Sequence, residues 1–341
     1  MVEDIVQLRE LNLRLSLKIS SCGAAQLRIE PSRGAAMSWG PIVVGVDTSP
    51  AAAGAAAVGE RIGRLASVPC RLIHAVRDAW APLVAVSPDP QVAEKQQLQL
   101  VVARHHMNEA LGTAVSGQLR EKLDVVFGPA AVVLQQAMRE QRPGLVILGG
   151  KHHSALERWL GGSTSLHVVR SAEVPVLITA GAPTAFRRVL VAADLSAAAG
   201  PTIGLAERFA RLVGAQLRVL TVFEPLPDLP GVPPMDPVEY FALAQETLTR
   251  DVWPLVRTSG VEKYVRHGSV IDTLLREATE WAADVLVVGS HGKGWAQRVL
   301  LGSVTERLVN HLPTSLLVAP VGVAAAALKR RERRQPALAA C

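Results

Sequence analysis

Ten short runs of consecutive apolar residues punctuate the chain, separated by longer stretches in which polar residues interrupt the apolar ones. The runs fall near 42–46, 71–76, 123–127, 145–149 and 174–179, and again near 188–193, 216–222, 263–267, 284–289 and 314–319. They do not alternate. A strand with one wet face carries a polar residue at every second position, whereas an unbroken run of Val, Leu and Ile suits a strand covered on both faces, as in a parallel sheet sheathed by helices. Segments such as 199–213 and 270–282 have the apolar spacing of helices able to cover such a sheet. Each half reads β-α-β-α-β-α-β-α-β, and right-handed crossovers wind that order into a doubly wound unit. The expected fold is therefore α/β: two tandem doubly wound domains, each a five-stranded parallel sheet with helices on both faces.

The two halves are copies of one unit. Leu-Val-Ile-Leu-Gly-Gly at 145–150 matches Val-Leu-Val-Val-Gly-Ser at 285–290, 140 residues later. The same offset pairs Gly128 with Gly268, Arg158 with Arg298, and Gly162-Ser163 with Gly302-Ser303. Earlier in each half the offset is 147, pairing Asp47 with Asp194, so seven extra residues belong to the helical arm around 77–120 of the first half. Domain limits of 39–181 and 186–320 follow, with Gly181-Ala-Pro-Thr-Ala185 breaking the pattern between them. Residues 1–38 form an N-terminal extension in which 4–16 reads as a short amphipathic helix (Ile5, Leu8, Leu11, Leu15), and Met37 is an alternative start. Residues 321–341 form a basic tail.

Composition changes this picture in a few respects. Of the net charge of +6, the run Lys329–Arg334 carries +4 and residues 1–36 carry +1, so the folded body is near neutral. No body-wide nucleic-acid footprint is expected, and the tail reads as a solvated run. Aromatic residues make up only 4%, which leaves little for stacking on exposed rings. Cys22, Cys70 and Cys341 show no metal or disulfide spacing, in keeping with a reducing, cytoplasmic setting. No apolar stretch approaches the roughly 20 residues that span a bilayer, so no membrane partner is expected.

Candidate chemistry sits where the strands end. In a doubly wound sheet, ligands bind beyond the carboxyl ends of the strands at the point where strand order reverses. Asp194 ends the first strand of the second copy. Its fourth strand runs into Gly289-Ser-His-Gly292, and nine residues later comes Gly302-Ser303. Glycines let backbone approach a phosphate, and the helix opening at Ser303-Val304 offers unpaired N–H groups to an anion. Asp194 is placed to accept hydrogen bonds from a ribose or base. An Asp at a strand end is by itself more often a turn or cap residue. The fixed glycine spacing is what lifts this one above that reading.

This Gly-x2-Gly-x9-Gly-Ser spacing with a first-strand Asp resembles the ATP-binding pattern of universal stress proteins, and the resemblance covers about residues 40–320. It implies ATP, with or without Mg, held by Asp194, the main chain near Val222, Val288, Gly289, Gly292, Gly302, Ser303 and Val304. It also implies pairing through the last strands, which two copies in one chain satisfy internally as a pseudo-dimer, with a further homodimer left open. The first copy keeps Asp47, Gly149, Gly162 and Ser163 but has His152 where the second has Gly292. His152 either crowds the phosphates or, protonated beside Lys151, contacts them.

Other chemistries find little support. His105-His106 and His152-His153 are adjacent pairs that do not face one way on a helix, so metal is not expected. Gly-Lys at 150–151 and 292–293 lacks the rest of a phosphate-binding loop, and no Gly-x-Ser-x-Gly elbow occurs. An adenylate-forming enzyme would need a Ser-Gly-Gly loop after the first strand or a His-x-x-His signature, and neither is present. The expected function is an ATP-binding stress-response or regulatory protein, a non-catalytic nucleotide sensor acting on an unknown protein partner, with slow hydrolysis left open. The alternative is a nucleotide-independent interaction or small-ligand scaffold.

Overall fold

The computed structural model describes residues 13–19, 25–31, 39–78, 90–150, 164–225, 236–290 and 301–320. The chain divides into two compact units, Met1–Trp39 and Gly40–Cys341. In the first, β1 (Leu13–Ile19) pairs antiparallel with β2 (Ala25–Pro31). This corrects the helix expected over 4–16: residues 13–16 are strand, and 4–12 lie outside the described residues. The spacing of Leu8, Leu11 and Leu15 favoured a helix, but Leu13-Arg-Leu-Ser-Leu-Lys-Ile19 alternates with period two and Gln26-Leu-Arg-Ile-Glu30 matches it. Over seven residues that alternation is the stronger signal.

The second unit begins with β3 (Ile42–Gly45), α1 (Pro50–Ala66), β4 (Cys70–Val76), α2 (Pro90–Leu111), α3 (Gly117–Glu121), β5 (Leu123–Phe127), α4 (Ala130–Gln141), β6 (Leu145–Gly150), α5 (Thr164–Ser171) and β7 (Val176–Ala180). The second copy follows as β8 (Arg188–Ala192), α6 (Ala199–Val213), β9 (Gln216–Phe223), α7 (Pro237–Thr247), β10 (Glu262–His267), α8 (Val270–Glu280), β11 (Val285–Gly289), α9 (Ser303–Asn310) and β12 (Ser315–Ala319). A π-helical turn, Leu248–Val252, and a 3₁₀ turn, Trp253–Leu255, continue α7. The strands fall within two residues of the expected runs. The offset between copies is 147 at Leu72 and Val219 and 140 at their sheet neighbours Leu123 and Lys263, so the extra residues do lie between the second and third strands.

The ten strands of the second unit join one sheet in the order β5-β4-β3-β6-β7-β12-β11-β8-β9-β10. Every neighbouring pair is parallel except β7 and β12, which run antiparallel with Leu177 opposite Leu317. Both centres are fully buried: Val43, Val44, Val146 and Ile147 in one copy, Val189, Leu190, Leu286 and Val287 in the other. One apolar cluster under α4, α5, α8 and α9 runs through both copies, from Val43 and Val146 to Leu190 and Leu316. On the other face α1 packs flat because its sequence is small. Gly59 lies so close to Val44 that a Cβ there would sit 2.4 Å from the valine Cγ2. Ser49 caps that helix by accepting from the Ala52 N–H, with Pro50 in the first turn, as a helix start requires.

Candidate functional site

In the second copy the chain leaves β8 toward β9 and β10 on one side, then returns to place β11 on the other side of β8. The helices after β8 and after β10 therefore cover opposite faces, and a crevice opens at the strand ends between them. A cleft of about 470 Å³ lies there. Asp194, Val222, Val288, Gly289, Gly302, Ser303 and Val304 all line it, so the structure brings these candidates together. Gly292 lies outside the described residues.

Each group is positioned by local structure. Asp194 follows β8, and its Oδ1 accepts from the Ser196 N–H at 3.1 Å and the Ser196 hydroxyl at 2.6 Å. Ser196 Oγ in turn accepts from the Ala198 N–H at 3.1 Å, leading into α6. Asp194 is thus a turn residue as well as a cleft residue. Both bonds use Oδ1. Gly302 stands at the N-cap of α9 with no side-chain cap, so the first-turn N–H groups at Ser303 and Val304 are presented to the cleft. Two bonds hold this rim to β11: the Gly302 N–H donates to the Ser290 carbonyl at 2.9 Å, and the Thr305 hydroxyl donates to the Gly289 carbonyl at 2.7 Å. Thr202 Oγ1 donates to the Ala198 carbonyl at 2.8 Å.

The cleft also holds residues that the sequence pattern did not single out. Thr221, Phe223, Glu224 and Tyr240 line its β9 side. Phe223 meets Tyr240 edge-on, with centroids 6.4 Å apart, and stacks on His267 at 6.2 Å. Glu224 Oε1 accepts from the Val270 N–H at 3.4 Å, at the start of α8. Among the described residues no cluster of three His, Cys, Asp or Glu side chains is arranged to hold a metal ion.

The first copy differs at the matching positions. Asp47 is exposed where Asp194 is half-buried, and it too accepts from the N–H and the hydroxyl of the serine two residues on, Ser49. Gly149 is pressed against the start of α1. A Cβ there would lie 2.6–2.8 Å from the backbone of Ala51 and Ala52, so the glycine at this strand end already serves helix packing. Gly162, Ser163 and the Lys151-His152 pair lie outside the described residues. Strand register places His74 where the second copy has Thr221, and His74 Nδ1 lies 2.9 Å from the Val46 carbonyl oxygen.

Among the described residues no helix is long and apolar enough to cross a membrane. The family model described as "Universal stress protein family" matches residues 38–180 and again 185–320. A universal stress protein of Mycolicibacterium smegmatis is 29% identical over 298 residues, covering 81% of this chain and 96% of its own. One from Mycobacterium tuberculosis is 28% identical over 295 residues, covering 82% and 95%. In fold, a universal stress protein from Archaeoglobus fulgidus aligns with a TM-score of 0.55 at 18% identity, over 82% of this chain and 98% of its own. With the family's domain matched twice and a duplicated five-stranded sheet to correspond, this chain belongs to the universal stress protein family.

Proposed function

We propose that the second copy binds ATP in the cleft between β8 and β11 and that the protein is a non-catalytic nucleotide sensor of the stress response. The observation that carries this reading is the convergence of Asp194, Val222, Gly289, Gly302, Ser303 and Val304 on one cleft at the strand-order reversal. The residues suit the ligand in order. The uncapped start of α9 suits phosphates, Asp194 suits ribose hydroxyls, and the end of β9 suits the base. These elements follow β11, β8 and β9, which are neighbours in the sheet. At about 4.8 Å per strand, two steps span roughly 10 Å, about the reach of a nucleoside from base to first phosphate. Any Mg ion would be held mainly by the triphosphate oxygens. When bound, the nucleotide brings a polyanion whose contacts differ with loop arrangement, and that difference is what a sensor needs. The cleft carboxylates of Asp194 and Glu224 are both engaged by neighbouring N–H groups, which supports binding rather than proton transfer.

The first copy supports a different role. The exposed Asp47 and the His74 ring at the Thr221 position favour a nucleotide-independent lobe that scaffolds the second. Mass spectrometry of small molecules released from protein purified without added ligand tests the main reading, with ATP the expected mass. By equilibrium dialysis, Asp194→Ala should weaken ATP binding about tenfold, the worth of one or two charge-assisted hydrogen bonds. A parent protein that retains no ATP at millimolar nucleotide overturns the reading.

A further inference from the structure

We infer that Thr221 is the residue through which this cleft reads the base of its nucleotide. The inference rests on the nucleotide reading above and adds to it a specificity-determining side chain. Thr221 is 1% exposed and lines the cleft, yet its hydroxyl has no hydrogen-bond partner in the protein. Buried hydroxyls are nearly always paired, because losing water without gaining a partner is unfavourable. The two neighbouring cleft threonines obey that rule: Thr202 donates to the Ala198 carbonyl and Thr305 to the Gly289 carbonyl. The first copy obeys it too, since its His74 at the same strand position reaches the Val46 carbonyl. Among the described residues other buried side-chain atoms also lack a partner, Asn108 Oδ1 and Arg120 Nε for example, but Thr221 is the one of them that lines this cleft.

Placement says what Thr221 would meet. It stands on β9, two strands from β11 and α9, where the phosphates would lie, with the Asp194 strand between. A ligand stretched across the three strands brings its far end to Thr221. Two residues on, Phe223 and the Tyr240 it touches offer apolar ring surface to the same end. Flat rings with a polar edge, as in a purine, match a hydroxyl beside aromatic walls. The hydroxyl both donates and accepts, so it can serve the amino group and ring nitrogen on one edge of adenine.

The test uses the full chain in three forms, parent, Thr221→Val and Thr221→Ser, titrated with ATP, with purine riboside triphosphate, which lacks the 6-amino group, and with inorganic triphosphate. Valine keeps the shape of threonine and removes the hydroxyl. T221V is expected to bind ATP about tenfold more weakly and inorganic triphosphate as the parent does, while T221S retains ATP affinity. Purine riboside triphosphate should bind the parent more weakly than ATP and lose little more in T221V. The melting temperature of ligand-free T221V should not fall, because the deleted hydroxyl had no partner to lose. Equal ATP affinity in T221V and parent overturns the role of Thr221 while leaving the nucleotide reading intact. So does an equal loss for ATP and inorganic triphosphate, which would mark a general distortion. A parent that binds inorganic triphosphate but not ATP overturns both, as does a parent that binds none of the three.

Discussion

Cys70 opens β4 with its side chain under α1, and burial pushes its thiol up to about 12, with the nearby Glu60 carboxylate adding to the effect. A thiol at that value is almost wholly protonated at pH 8 and a poor nucleophile. The native protein should therefore leave Cys70 unmodified by iodoacetamide at pH 8, with labelling at that site appearing only in denaturant, as peptide mass mapping would show. The sign of the pH dependence follows. The folded chain holds this proton more tightly than an unfolded thiol near 9.0, so the stabilisation is complete below that pH and declines as the pH climbs toward about 12. At this scale the sequence was only partly legible. Asp194 could be picked out because a fixed glycine spacing accompanied it. Thr221 could not, because a threonine within an apolar run reads as an ordinary strand residue. Its missing partner depends on what α6 and α7 bring across the sheet, and no local pattern encodes that.

Elements were more legible than single residues wherever one period dominated. Helices α6 and α9 start at the expected residues because their apolar stripes begin there, α9 directly after Gly302. At the N-terminal hairpin a helical period through Leu8, Leu11 and Leu15 competed with a two-residue period through Leu13, Leu15 and Leu17, and the latter prevailed. The π turn after α7 has no sequence signature of its own. Contacts between elements were the least visible. Arg61 of α1 reaches the segment joining the two copies, where its Nη1 donates to the Pro183 carbonyl at 2.9 Å and also to that of Thr184. Its guanidinium also lies 5.3 Å from the Phe186 ring, which meets Phe209 of α6 edge-on at 5.5 Å. Burial, with the nearby Arg64 charge, lowers the Arg61 pKa from its usual value. One arginine thus clamps α1 to the linker and to α6. Arg61→Ala should cost about 1–3 kcal/mol in urea unfolding, from carbonyls left without a charged donor and lost ring contact. Lysine at this position should recover only part of that, since a single ammonium cannot reproduce the planar fork.

For the whole molecule, the decisive contact is β7 against β12. Leu177 and Leu317 are equivalent positions in the two copies and stand directly opposite each other, both fully buried. Each copy therefore meets its own counterpart, as across the two-fold axis of a symmetric dimer. Leu177→Ala and Leu317→Ala should each cost about 2–5 kcal/mol. Chemical denaturation followed by fluorescence should show one transition for both copies, and the double variant should fall short of the sum, because the two side chains share one space. That ten-strand joint has a consequence for dosage. Where two separate subunits must find each other, assembly falls away as the protein becomes scarce. Here the tether keeps the halves at an effective concentration on the order of millimolar, so even where a cell holds only a few copies the two halves of each stay paired.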